Sequence, residues 1–259
     1  MPALYDAIGA GYGTTRRADP ELADTLAILL ALPATGRGLD LACGSGNYTA
    51  AMATRGGIWT GLDESATMLA QARQTAVPVN WVRGDAAMLP FADGSFDALL
   101  CALAIHHFAA LDAPFAQAQR VLRAGGRFVI FTAFAEQMPA YWLGRYFPRM
   151  MARSIEKMPA RAAVHSALRG AGFSSIEVLP YHVSERLQDL FLYAGKHRPA
   201  MYLDAAVRAN ISSFATLCPA HELAAGLDAL RADLAQGRWA GVLPDATTAG
   251  DYAFVIAHK

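Results

Sequence analysis

Gly38-Leu39-Asp40-Leu41-Ala42-Cys43-Gly44-Ser45-Gly46-Asn47-Tyr48-Thr49 reads as a strand running into a glycine turn and then a helix. Leu39 and Leu41 suit a buried strand, and Asp40 places an acid just before the turn. Gly44 and Gly46 supply the turn, because glycine tolerates positive φ and lets another molecule come close to the backbone. The helix that follows opens with unpaired N–H groups. A strand, a glycine turn and a helix start form a nucleotide-type site at the carboxyl end of the strand. A dinucleotide fingerprint has the form G-x-G-x-x-G. Counting on from Gly44 and Gly46, Thr49 stands where the third glycine belongs.

The chain continues as strand–helix units. Ile58-Trp59-Thr60-Gly61-Leu62-Asp63 reads as a second strand ending in an acid. A carboxylate there can accept hydrogen bonds from both ribose hydroxyls of a bound nucleoside. Ser65 is a good N-cap for a helix carrying Met68, Leu69 and Ala72. A third strand over 79–85 ends in Gly84-Asp85-Ala86, followed by Leu89-Pro90-Phe91. A fourth over 96–103 is followed by His106-His107. A helix is expected over 115–123, capped by Asp112 and ended by Ala124-Gly125-Gly126, then a fifth strand over 127–132.

Four features thus fall in order at the carboxyl ends of successive strands: the glycine turn, Asp63, Asp85 and the histidine pair. Together they resemble the class I S-adenosylmethionine (SAM) methyltransferases. Asp40-Leu41-Ala42-Cys43-Gly44-Ser45-Gly46 resembles that family's motif I, with Ala42 in place of its first glycine. Asp63, Ser65, Met68 and Leu69 match its next pattern, and Gly84-Asp85-Ala86 with Leu89-Pro90-Phe91 resembles motif II. The resemblance covers about residues 36–133 and is nearest to the small-molecule group related to the ubiquinone/menaquinone C-methyltransferases (type 11).

It implies an α/β fold: a seven-stranded Rossmann-like sheet, its last strand antiparallel between the fifth and sixth, with helices on both faces. It implies SAM as cofactor, with Asp85 accepting from the adenine amine and the Ala86 N–H meeting the ring. Asp40, Ala42, Cys43, Gly44, Gly46, Asp63, Glu64, Met68 and Ala102 complete the expected cofactor wall. Tyr12 with Arg17, or with Arg16 in its place, would fold over the methionine carboxylate. His106 and His107 are the catalytic candidates, placed where the methyl would lie and able either to take a proton or to serve as scaffold.

The second half is read more coarsely. The stretch 139–158 carries Tyr141, Trp142, Tyr146, Phe147, Met150 and Met151 on an expected helix, either core or substrate wall. A helix over 161–169, a strand over 175–183 and further helix over 185–238, interrupted at 195–199, lead to a last strand at the C-terminus. The expected organisation is one domain over 1–259. Residues 19–134 form its SAM-binding half, 135–160 and 185–240 a helical cap over the sheet's carboxyl edge, and 251–259 the last strand. Lys196, His197, Arg198 and Arg208 form a basic cluster, either a solvated loop or an anion site.

Composition bounds the function. The chain has 259 residues, 54% hydrophobic, with formal net charge zero. That balance argues against nucleic acid as a partner, which calls for a clustered basic surface. No apolar run reaches the ~18 residues of a membrane span. The N-terminus lacks the basic-then-apolar plan of a signal peptide, so a cytoplasmic location is expected. The three cysteines, Cys43, Cys101 and Cys218, have no metal-ligand or disulfide spacing, and no metal is expected. The leading reading is methyl transfer to O, N or C of a small, moderately apolar metabolite by a monomer or homodimer, chiefly through proximity and orientation. A nicotinamide-dependent oxidoreductase and a SAM-binding protein without transfer activity are the alternatives.

Overall fold

Alternating apolar residues on the central strands divide the core into two layers, one on each face of the sheet. In the computed structural model, which describes residues 15–239 and 248–259, seven strands run in the order β3-β2-β1-β4-β5-β7-β6. They are β1 (Arg37–Leu41), β2 (Ile58–Asp63), β3 (Asn80–Arg83), β4 (Phe96–Ala102), β5 (Leu122–Thr132), β6 (Ser175–Tyr181) and β7 (Tyr252–His258). The first five pair in parallel, and β7 lies antiparallel between β5 and β6, as expected. Side chains on a strand point alternately to opposite faces. Accordingly Ala98, Leu100, Val129, Phe131, Tyr252, Phe254 and Ile256 join one core. Their neighbours Leu99, Cys101, Phe128, Ile130, Ala253, Val255 and Ala257 join the other.

The second core is covered by α4 (Asp112–Val121) and α7 (Arg161–Gly170). The first is covered by α1 (Pro20–Leu30), α2 (Asn47–Ala53) and most of the second half of the chain. Helix α3 (Ala66–Ala72) packs beside β2 and β3, capped as expected by Ser65, whose hydroxyl accepts from the Met68 N–H. The later insertions therefore thicken one layer of the sandwich and are not only a lid at the carboxyl edge.

Three local expectations shift. Helix α4 ends at Val121 and β5 begins at once. Gly125 and Gly126 lie in a bulge, where β4 partners jump from Leu122 to Arg127. A side chain at Gly126 would strike the Asp97 carbonyl at 2.7 Å, so the glycine serves the bulge and does not end the helix. The single helix over 139–158 is a 3₁₀ turn (Met138–Ala140), α5 (Leu143–Tyr146) and α6 (Pro148–Lys157). The break falls at Phe147, since the residue before a proline is pushed out of the α region. Finally, 187–198 forms turns and not helix. Its backbone is tied by core side chains: the Tyr193 N–H donates to the Tyr252 hydroxyl, and Trp142 Nε1 donates to the Lys196 carbonyl. These bonds replace the ladder a helix would have given. Beyond it come a 3₁₀ turn (Pro199–Leu203), α8 (Ala205–Ala209), a π-turn (Ser213–Leu217) and α9 (Ala220–Ala235).

Asp19 joins the two halves. One carboxylate oxygen caps α1 by accepting from the Leu22 N–H, and the other accepts from the Gln188 N–H, both at 2.8 Å. Asp19→Ala is expected to cost about 1–2 kcal/mol of stability, the range for a lost N-cap. Equal unfolding midpoints in urea for variant and parent would refute this.

Candidate functional site

The carboxyl ends of β1, β2, β3 and β4 surround a cavity of about 890 Å³. That is the upper part of the range for small-molecule and cofactor pockets. Asp40, Ala42, Cys43, Gly44, Asp63 and Glu64 line it from the first two strands and their turns. Met68, Asp85, Ala86 and Ala102 line it from the next elements, and His106 and His107 close one side.

Positive backbone φ recurs around the turn. Ala42 (54°), Gly44 (56°) and Gly46 (76°) all adopt it, so Ala42 keeps the left-handed conformation that glycine would adopt freely. The two glycines have different jobs. A Cβ on Gly44 would meet nothing within 4 Å, which leaves that face of the turn open to the cavity. A Cβ on Gly46 would sit 2.3 Å from the Trp81 ring. Gly46 is absent from the cavity wall and serves helix–strand packing.

Asp63 holds the turn in place. Its two oxygens accept from the Gly44 and Ser65 N–H groups, each at 2.8 Å. An ionised carboxylate has about four acceptor positions, so capacity is left for a ligand's hydroxyls. Asp85 forms its own turn, accepting from the Ala87 N–H at 2.8 Å. Asp40 is deeply buried. Thr49 Oγ1 donates to its Oδ2 at 2.6 Å, and Oδ1 is buried with no partner among the described residues. Burial, and to a lesser extent the charge of Asp63, pushes the Asp40 carboxyl up to about 7 against the lowering pull of Thr49. Burial also pushes the Cys43 and Cys101 thiols well up, with Asp40 and Asp63 adding to it. Neither is a thiolate at neutral pH. The described residues hold no group of three or more His, Cys, Asp or Glu able to take a metal.

The N-terminal residues behave differently from expectation. Tyr12 lies outside the described residues. Arg17 is exposed and does not line the cavity; its neighbour Arg16 does. Arg16 makes a two-pronged pair with Asp189, at 2.6 and 3.3 Å, and the Tyr48 hydroxyl donates to the same carboxylate at 3.1 Å. Asn47 at the start of α2 donates to the Arg16 carbonyl. The segment ahead of α1 is therefore strapped to the mouth of the cavity by groups from both halves. Nothing near Asp189 in sequence signals this, since it lies 173 residues from Arg16.

The histidine pair stands where the large cavity meets a second one of about 90 Å³. Their ring centroids are 4.0 Å apart. Burial and, after it, the positive charge of Lys157 push the His107 imidazole down to about 4. Burial, His107 and Lys157 push His106 well below its ordinary range. Both rings are neutral at physiological pH. Leu103, a non-glycine residue at φ 54°, lies between the cavities and lines both. Such backbone outliers cluster at functional sites.

The aromatic stretch over 139–158 is mainly core. Trp142, Tyr146, Phe147, Met150 and Met151 are all buried, whereas Tyr141 also lines the second cavity. The basic cluster is tied down by partners within the chain, although Arg198 is exposed. Lys196 forms a buried pair with Asp251 at 2.9 Å, and Arg198 and Arg208 donate to the Leu187 and Tyr202 carbonyls. His197 shares a hydrogen bond with the Val183 carbonyl.

SAM suits the large cavity on three structural grounds. Acids end β1, β2 and lie just past β3, the face of the turn at Gly44 is open, and an orphaned Asp40 oxygen offers an acceptor for a cationic ligand. Among the described residues no helix is long and apolar enough to cross a membrane.

Comparison with known proteins agrees with this geometry. Residues 39–130 match a family model described as a methyltransferase domain, type 11. The ubiquinone/menaquinone biosynthesis C-methyltransferase UbiE of Rubrivivax gelatinosus is 31% identical, over 58% of this chain and 67% of its own. A demethylmenaquinone methyltransferase of Thermus thermophilus is 32% identical, over 57% of this chain and 81% of its own. The crystal structure of a putative methyltransferase from an antibiotic biosynthesis pathway of Anabaena variabilis is 30% identical. It superposes with a TM-score of 0.84, over 95% of this chain and 99% of that one. With the sheet order, the acids at the strand ends and these relatives in agreement, the chain belongs to the class I SAM-dependent methyltransferases, in the type 11 group.

Proposed function

We propose that the large cavity holds SAM and that the second cavity receives a small, moderately apolar acceptor, methylated at O, N or C. The observation that supports this most is the shared wall. Arg16, Leu103, His106, His107 and Lys157 border both spaces, so a group in one faces a group in the other. In this reading Asp63 accepts from the ribose hydroxyls and Asp85 from the adenine amine, with the Ala86 N–H against the ring. Glu64, Met68 and Ala102 complete the wall, and Asp40 faces the cationic methionyl end. SAM, when bound, supplies a methyl already activated on a sulfonium. What the chain supplies is alignment and exclusion of water, which brings a bimolecular step toward a unimolecular one. His106 and His107 act mainly as wall and hydrogen-bonding partners, because imidazoles pushed well below their ordinary range, His107 to about 4, hold a proton poorly at neutral pH.

The acceptor class follows the second half of the chain. The matches to the quinone-pathway relatives cover 57–58% of the whole chain, and the superposition on the Anabaena protein covers 95% of it. Met138, Tyr141, Phe191 and Ile211, which line the acceptor cavity, all come from that second half. The superposition along nearly the whole chain on a protein from an antibiotic biosynthesis pathway supports an acceptor of secondary-metabolite type. Incubation with SAM and a panel of aromatic and polyketide-like acceptors, read by S-adenosylhomocysteine (SAH) release, tests this. SAH release with none of them, from protein shown to bind SAM, would refute the small-acceptor reading if a demethylated quinone alone were active.

Asp40 gives the site a pH dependence. Its free carboxyl titrates near 7, and only the ionised form attracts a cation. Raising the pH through 7 ionises it, so affinity for SAH is expected to rise about tenfold between pH 6 and pH 8 and then level off. Calorimetric titration across that range should show the rise in the parent and a flat profile in Asp40→Asn. A parental profile already flat would remove Asp40 from the cofactor contacts.

A further inference from the structure

Lys157, the last residue of α6, is exposed and lines both cavities. The other cation shared by the two walls, Arg16, is held by Asp189. Lys157 is not: no carboxylate among the described residues lies within ion-pair distance of its ammonium. Yet its charge reaches both His106 and His107. A lysine at a helix C-terminus is favoured by the helix dipole, which accounts for a cation there but not for its place on the wall between two cavities.

The surroundings add to this. The second cavity is otherwise apolar at Met138, Tyr141, Phe191 and Ile211, with the Ser212, Ser213 and Thr216 residues at one side. Those three belong to or adjoin the π-turn Ser213–Leu217. Such turns are rare and frequent at functional sites. A largely apolar pocket with a few hydroxyls and two cations, one of them already paired with a carboxylate, orients a ligand that has an apolar body and one negative group. The acids on the larger wall are Asp40, Asp63, Glu64, Asp85 and Asp189; Asp189 holds Arg16, and none of the five forms an ion pair with Lys157.

We propose that the acceptor carries an anionic oxygen, as a carboxylate or an ionised enol or phenol, on an apolar ring, and that Lys157 selects it. This rests on the reading that the second cavity is the acceptor site. Lys157 pairs with the acceptor's charge and takes no part in the methyl transfer itself, so it sets which acceptor binds and how it is oriented.

The test uses the SAH-loaded protein and two probe pairs that differ by one charge. They are 2-naphthoic acid with 2-naphthamide, and 4-hydroxycoumarin with 4-methoxycoumarin. Binding is measured by calorimetry to the parent, Lys157→Met and Lys157→Arg. In the parent, one or both anionic members should bind about tenfold more tightly than their neutral partners, the scale of a charge-assisted hydrogen bond. The preference should vanish in Lys157→Met and persist in Lys157→Arg, with SAH affinity the same in all three. Preference in the first pair alone identifies a carboxylate, and in the second alone an ionised enol. Neutral partners binding as well as the anions, or a preference that survives in Lys157→Met, overturns the proposal. So does binding of no probe to the SAH-loaded parent, or a fall in SAH affinity in Lys157→Met, which would assign the lysine to the cofactor carboxylate. Failure of the parent to bind SAH is a separate result and removes the cavity assignment beneath both.

Discussion

Gly46→Ala is expected to destabilise the protein by about 2–5 kcal/mol, more than Gly44→Ala two residues away. Both glycines have positive φ, so an alanine at either place carries the strain of a left-handed residue, ~1–2 kcal/mol. The difference lies in what the new methyl meets. At Gly46 it would be 2.3 Å from the Trp81 ring and 3.1 Å from the Ala72 methyl. Trp81 cannot simply retreat, because the same ring fills the space over Gly61, where a Cβ would lie 2.4 Å away. Overpacking of this kind adds roughly 1–3 kcal/mol. At Gly44 the methyl meets no atom within 4 Å. Thermal unfolding of the two variants separates the terms. Gly46→Ala should melt well below Gly44→Ala, whose main loss should instead be in SAH affinity. Combining Gly46→Ala with Trp81→Leu should recover part of the stability, since contacting residues couple. Equal melting points for the two single variants would show that the ring gives way freely and that Gly46 needs only its backbone angle.

The same pair of glycines shows what could be read from the chain alone. A strand, a turn and a capped helix are local patterns, so the turn at Gly44, the Ser65 cap and the acids at 40, 63 and 85 were all legible within a few residues. What Gly46 faces was not, because Trp81 lies 35 positions further on, on the neighbouring edge of the sheet. The break before Pro148 had a local signal in the proline itself, yet the apolar stripe around it outweighed that signal. Gly125-Gly126 reads equally as a helix end or a bulge, and only pairing with β4 decides it. For the strap, the sequence offered Arg16 or Arg17 over the site but gave no sign of which of them or of what would hold it. Its partners, Tyr48 and Asp189, come from different halves of the chain, and the adjacent Arg17 offers the same chemistry one position away. Lys157 is a similar case: at the end of a helix it reads as a dipole partner, and only the cavities on either side give it another role.

Asp63 carries the largest expected effect on ligand binding, because one carboxylate serves both the turn and the proposed ribose contact. Its oxygens hold the Gly44 and Ser65 N–H groups at 2.8 Å and keep the glycine turn closed against β2. Asp63→Ala removes both bonds and leaves two N–H donors to find other partners. It also deletes the acceptor for the nucleoside hydroxyls. Each lost bond to a charged group is worth about 1.5–3 kcal/mol, so affinity for SAH should fall by roughly 10²-fold or more. Asp63→Asn is the sharper probe. The amide has one acceptor oxygen and one donor nitrogen, and two backbone donors face it, so one of them must meet an N–H. The isosteric change should therefore recover little of the affinity, although its volume is almost unchanged. A simple electrostatic contribution from Asp63 would show in thermal stability, which Asp63→Asn would then leave unchanged. If Asp63→Ala binds SAH as the parent does, the ribose assignment fails and the carboxylate is only a brace for the turn.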